Sequence, residues 1–148
     1  MNNNGKEQLE IINQQIKELV GIYRGAVTNS GISENEYWIW YTLIIMDGEY
    51  TQQDICEAWS LSKQTVNTII THLVKGDFIT LEVVPGTRNK KIIRLTEKGR
   101  KHGETLVTPI SAAEQRAIDR LPEEDRIACM NVLGKYIEVL KEEINNVQ

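Results

Sequence analysis

The sequence predicts a mainly α-helical chain with one small β-hairpin, and three observations carry the prediction. Apolar residues recur in steps of three and four near both ends of the chain, the period of an amphipathic helix. Two short, capped segments follow one another between Thr51 and Gly76. A β-branched run of period two, Phe78 to Val84, is answered by a second, Lys91 to Leu95, across a polar tip.

The elements follow in order. From Glu7 to Asn29 the apolar set is Leu9, Ile12, Ile16, Leu19, Val20, Tyr23 and Val27, one stripe of a first helix. Ser33 with Glu36 forms a capping-box signature that opens a second helix, Glu34 to Met46, apolar around nearly its whole circumference and therefore central. Asp47-Gly48-Glu49 ends it. Thr51 with Asp54 starts a short third helix through Trp59, which turns Ile55, Cys56 and Trp59 inward. After a turn at Ser60-Leu61, Ser62 caps a fourth helix with Val66, Ile69, Ile70 and Leu73 on its inner face. The hairpin comes next, its tip spanning Gly86 to Lys90. Thr96 then caps a long fifth helix carrying Leu106, Val107 and Ile110, with Pro109 expected to bend it. Pro122 takes a first-turn position in a sixth helix, striped by Ile127, Met130, Leu133, Ile137, Leu140 and Ile144.

Composition bounds the function. With 148 residues, 41% apolar and 26% charged, the chain reads as one ordinary soluble domain over 1–148, not a disordered or fibrous protein. The apolar run Trp38 to Met46 is far short of the ~18 residues of a membrane span. The amino terminus, Met1 to Glu7, is polar with no signal-like apolar stretch behind it, so a cytoplasmic location is expected. Cys56 and Cys129 stand far apart, with no Cys-x-x-Cys and no nearby His, and are read as reduced, mostly buried thiols. No cofactor or metal site is expected, and no catalytic constellation can be assembled from two distant histidines without a phosphate loop. An enzyme is therefore the weakest functional class.

Net charge is −4, yet it is divided unevenly. Ser60 to Gly103 holds nine basic residues against three acidic, a local +6, while the remainder holds eight against eighteen, −10. A chain so divided is drawn to a polyanion through its middle segment and repelled elsewhere. Charge alone does not separate this from an unevenly solvated surface.

The order of elements does. Two short helices joined by a tight turn and followed by a basic-tipped hairpin make a winged helix-turn-helix, whose second helix enters the major groove while the wing reaches an adjacent groove or the backbone. With Val66, Ile69, Ile70 and Leu73 inward, Lys63, Gln64, Asn67, Thr68, Thr71 and Lys75 point away from the core, a face without acids. Gln and Asn pair bidentately with adenine, Thr meets bases or a thymine methyl, and Ser62 and Lys63 suit phosphates at a helix start. The candidate DNA-binding residues are thus Ser62, Lys63, Gln64, Thr65, Asn67, Thr68, Thr71 and Lys75 on the helix, with Thr87, Arg88, Asn89 and Lys90 on the wing. The competing reading is a winged-helix module that recruits protein without binding DNA; such a module would expose Leu, Phe or acids on that face.

These residues resemble the multiple-antibiotic-resistance regulators, the MarR family of bacterial transcription factors. Leu61 to Leu73 looks like the family's recognition helix, and Arg88 to Gly99 is similar to its wing signature, with Leu95, Thr96 and Gly99 matching the end of the motif. Arg88 stands where the family's minor-groove arginine stands, and Gly86 takes the place of the acid that commonly braces it. Thr68 and His72 replace arginines frequent in many members, which implies fewer phosphate contacts.

The resemblance implies a homodimer binding a pseudo-palindromic operator, with 33–96 as the DNA-binding lobe and 6–30 and 97–146 as dimerisation helices. The stripes themselves also ask for a partner surface, and the expected dimer residues are Leu9, Ile12, Ile16, Leu133, Ile137, Leu140 and Ile144. Family members often respond to small lipophilic or phenolic ligands, and a repressor released by such a ligand is expected here. The residues eligible for such a pocket are Tyr23, Tyr37, Trp38, Trp40 and Tyr41, whose rings equally suit a core. Peroxide sensing through an early cysteine is not expected, because none precedes Cys56. Metal sensing is not expected either, because His72 and His102 stand apart.

Overall fold

The computed structural model describes residues 3–148; Met1 and Asn2, part of the polar amino-terminal stretch, lie outside the described residues. Six helices and a two-stranded antiparallel sheet follow in the order α1 (Asn3–Val27), a 3-10 turn (Thr28–Ser30), α2 (Glu34–Ile44), α3 (Gln52–Trp59), α4 (Lys63–Lys75), β1 (Ile79–Val83), β2 (Lys91–Leu95), α5 (Glu97–Asp119) and α6 (Glu123–Asn145). This is a winged helix-turn-helix with long helices at both ends. The chain divides into two compact units, 1–110 and 111–148.

In the first unit α2 is central. Tyr37, Ile39, Trp40 and Thr42 are buried on it, and they pack in one core with Val27, Ile55, Val66, Ile70, Leu73, Ile79, Ile93 and Val107. Its start is capped by Ser33, whose hydroxyl accepts the Glu36 N–H at 3.1 Å. Glu36 does not complete the expected box: its carboxylate accepts the indole N–H of Trp40, one turn on, at 3.1 Å. A fully buried indole requires a partner, and Glu36 supplies it. The helix ends at Ile44 rather than Met46, and α1 starts at Asn3, four residues before the expected Glu7. Among the described residues no buried side-chain nitrogen or oxygen lacks a hydrogen-bond partner.

The helix-turn-helix is built by local chemistry. Thr51 and Asp54 exchange both bonds of a capping box, at 3.1 and 2.9 Å, and so fix the start of α3. Ser60 ends that helix in the left-handed region at φ 53°, which turns the chain toward α4. Ser62 accepts the Thr65 N–H at 3.1 Å and caps α4. At the far end of α4, Phe78 N–H reaches the Leu73 carbonyl and Asp77 N–H reaches the Val74 carbonyl, each at 3.0 Å, a Schellman motif with Asp77 at φ 63°.

The strands pair in the register Ile79↔Leu95 through Val83↔Lys91. Ile93 N–H also donates to the Tyr50 carbonyl at 2.9 Å, which ties the hairpin to the α2–α3 connection. The first turn of α5 closes on the end of α4: Thr96 Oγ1 bonds the Asp77 carbonyl at 2.7 Å, and Lys98 Nζ donates to the Gly76 carbonyl at 2.7 Å. Gly103 brings α5 close to α2, since a methyl there would stand 2.7 Å from the Trp40 ring.

In the second unit Pro122 precedes α6 as its N-cap, at ψ 147°, one position outside the first turn where it was expected. Cys129, expected to be buried, is exposed on α6, because that helix has no buried residue in the single chain. Among the described residues no helix is long and apolar enough to cross a membrane.

Candidate nucleic-acid interface

The inner face of α4 is fixed by Val66, Ile70 and Leu73, all buried, with Ile69 half-buried. A helix so anchored turns its opposite side outward. Lys63, Gln64, Asn67, Thr68, Thr71 and Lys75 are all exposed. Ser62 and Thr65 are engaged with each other, Ser62 Oγ donating to Thr65 Oγ1 at 2.8 Å, and Thr65 is half-buried. Their hydroxyls hold the start of the helix.

The wing tip is a compact turn. Thr87 N–H bonds the Val84 carbonyl at 3.2 Å with Pro85 second in the turn, and Gly86 third at φ 80°, the signature of type II. Thr87 Oγ1 adds a bond to the same carbonyl at 2.7 Å, and Val84 N–H donates to the Lys90 carbonyl at 2.8 Å. The left-handed third position explains why glycine stands where an acid would otherwise be expected. The turn supplies backbone order at the tip. Thr87, Arg88, Asn89 and Lys90 are exposed.

A cleft of about 990 Å³ brings part of the two sets together. Asn67, Thr71 and Lys75 of α4 line it along with Asn89, Lys90 and Lys91 of the wing, over a floor that includes Ile70 and Leu81. Its remaining side is closed by α3, with Gln52, Gln53, Asp54 and Glu57. A smaller recess of about 270 Å³ joins Lys63 and Asn67 to Gln52, Gln53 and Cys56. Gln64, Thr68 and Arg88 line neither recess. The two glutamines and Lys91 were not singled out from the sequence; the signal available was an amide pair in the first turn of the helix preceding the recognition helix.

The nine cations of the basic segment are not equivalent. Arg94 is held by Glu82 and Glu49, each at 2.7 Å, and these carboxylates, Glu82 foremost, push its guanidinium pKa further up. Lys98 bonds the Gly76 carbonyl and lies 4.5 Å from the centre of the Phe78 ring. Lys101 stands 3.5 Å from Glu97. Among the described residues Lys63, Lys75, Arg88, Lys90, Lys91 and, on α5, Arg100 form no ion pair, so most of the free positive charge gathers on α4 and the wing tip.

The aromatic residues named as a pocket are distributed differently. Tyr37 and Trp40 are fully buried, and Trp40 packs edge-on to Phe78 and His102 at 5.9 and 5.5 Å. Tyr23, Trp38 and Tyr41 are half-buried around Tyr37, with Tyr23 and Trp38 at 4.8 Å and Trp38 stacked on Trp59 at 4.7 Å.

The MarR family model matches residues 30–88, the stretch from the start of α2 to the wing tip. Residues 30–88 belong to the MarR family. The fold of the chain is likewise that of solved regulators. A MarR family regulator from Neisseria meningitidis is 23% identical, with a TM-score of 0.84 over 95% of this chain and 99% of that one. The MepR–DNA complex of Staphylococcus aureus is 23% identical, with a TM-score of 0.64 over 88% and 96%. BpsR of Bordetella bronchiseptica, whose DNA binding is regulated by 6-hydroxynicotinic acid, is 20% identical, with a TM-score of 0.66 over 88% and 98%. No curated protein sequence matches the chain.

Proposed function

We propose that this chain is a sequence-specific, double-stranded-DNA-binding transcriptional regulator that works in the cytoplasm as a homodimeric repressor, and that a small lipophilic or phenolic ligand releases it. One observation carries the DNA-binding reading: Lys75, Lys90 and Lys91, which form no ion pair among the described residues, line one cleft with the amides of Asn67 and Asn89, while the two carboxylates in its lining, Asp54 and Glu57, accept the Thr51 N–H and the Gln53 amide within α3 and its cap. Ammonium groups meet phosphates, and amides read base edges. In this reading 33–96 is the DNA-binding lobe, α4 enters the major groove and Arg88 reaches the minor groove. The MepR–DNA complex, a relative in fold, supports the assignment.

The homodimer is supported by open apolar faces. Leu9, Ile12 and Ile16 on α1 are about 40% exposed, and Leu133, Ile137, Leu140 and Ile144 on α6 are 42–48% exposed. Large side chains left this open at helical spacing call for a covering surface, so 6–30 and 97–146 are the proposed dimerisation helices. A twofold arrangement would set two recognition helices about 34 Å apart on a pseudo-palindrome. The ligand part rests on the half-buried rings Tyr23, Trp38 and Tyr41, and on the ligand-regulated relative BpsR.

Titration of the purified chain with mixed-sequence duplex DNA at increasing salt tests the reading. The logarithm of the binding constant is expected to fall linearly with the logarithm of salt concentration. Failure to bind even at low salt would contradict DNA binding and favour the protein-recruiting module. Sedimentation of the same sample is expected to give twice the chain mass; a single-chain mass would refute the dimer.

A further inference from the structure

Arg94 belongs to the basic segment, yet it faces carboxylates. Its Nε donates to Glu82 and its Nη2 to Glu49, both at 2.7 Å. Three separate stretches meet there: Arg94 lies on β2, Glu82 on β1, and Glu49 in the connection between α2 and α3. Beside this contact Ile93 N–H bonds the Tyr50 carbonyl, and the next residue, Thr51, caps α3. One planar guanidinium therefore joins the hairpin to the segment that begins the helix-turn-helix. The groups are 42–60% exposed, a setting in which ion pairs add little to global stability. What a rigid fork on two acids does supply is direction.

We propose that Arg94 is a positioning residue for DNA binding: by holding Glu82 and Glu49 it fixes the direction in which the wing carries Arg88 relative to α4. The proposal rests on the DNA-binding reading above. It makes a prediction whose sign is opposite to that of simple charge. Removing Glu49 and Glu82 makes the lobe more positive by two charges, which by long-range attraction alone would tighten binding to DNA. Loss of the clamp instead loosens the wing and weakens binding.

The test uses the full chain carrying Glu49→Ala and Glu82→Thr together, and separately Arg94→Lys, titrated with mixed-sequence duplex DNA over a range of salt. Both substituted chains are expected to bind about threefold to tenfold more weakly than the parent, with parallel salt dependence, because Arg94 neutralises no phosphate. Lysine keeps the charge but cannot span both carboxylates in one plane. Exchange of the Ile93 amide hydrogen is expected to quicken in both. A double variant that binds as tightly as the parent, or more tightly, overturns the positioning role, as does a flattened salt slope for Arg94→Lys. If the parent chain itself does not bind, the DNA-binding reading fails and the positioning role falls with it. Faster Ile93 exchange with unaltered binding overturns the positioning role alone.

Discussion

Gly99 lies against the backbone of Phe78 so closely that a methyl group on its Cα would stand 1.8 Å from the Phe78 carbonyl oxygen. The contact is with main chain, which cannot swing aside as a side chain can. It seats the first turn of α5 on the junction between α4 and β1, where Thr96 and Lys98 also bond. Gly99→Ala is therefore expected to cost about 1–3 kcal/mol or more of stability, the scale of overpacking. Urea denaturation of the purified variant checks it, and an unchanged midpoint would show that α5 is free to shift.

Thr42 is fully buried and its hydroxyl is used twice, donating to the Trp38 carbonyl at 2.7 Å and accepting the Trp59 indole N–H at 2.6 Å. Valine has the same shape without the oxygen. Thr42→Val leaves the Trp59 N–H without this acceptor and is expected to cost about 1–3 kcal/mol, whereas Thr42→Ser should retain most of the bond. Equal losses for the two substitutions would assign the effect to packing.

Asp77 holds a left-handed conformation at φ 63° in the Schellman motif that ends α4. A side chain in that region carries a penalty of roughly 1–2 kcal/mol that glycine escapes, partly offset by the greater freedom of glycine in the unfolded chain. Asp77→Gly is expected to raise stability by up to about 1 kcal/mol, read as a higher melting temperature. A lower one would mean that the carboxylate contributes more than its backbone costs.

Asn67 lies on the exposed face of α4 and lines both recesses of the lobe. Selection of bound fragments from a random duplex pool, run on the parent and on Asn67→Ala, is expected to show relaxed preference at one base pair of each half-site. The cost there is about 1–3 kcal/mol, the value of a bidentate base contact. A uniform loss across all sequences would make Asn67 a backbone contact instead.

Much of the lobe was legible because its signals are local. The Thr51–Asp54 box, the Ser62 cap and the inward set Val66, Ile70 and Leu73 depend on spacing along the chain, and the structure has them as read. Partners supplied by the tertiary fold were not legible. Glu36 looked like the second half of a capping box, but a buried indole one turn away takes its carboxylate. Arg94 and Lys98 counted as free cations, although their partners lie 12 to 45 positions away in sequence. Gly86 looked like a missing acid, when the type II turn requires its positive φ. The first turn of α1 was missed for the opposite reason: Asn3 to Lys6 carry no apolar residue except Gly5, so there is no period to read.

In the proposed function α4 and the wing tip grip duplex DNA together. Arg88 is exposed on the turn of the wing and forms no ion pair among the described residues. The salt dependence of DNA affinity, measured for the parent chain and for Arg88→Ala, tests this most directly. Arg88→Ala is expected to bind every sequence more weakly, with a slope of log affinity against log salt shallower by about one unit. An Arg88→Ala chain with the parent's affinity and the parent's slope would contradict it.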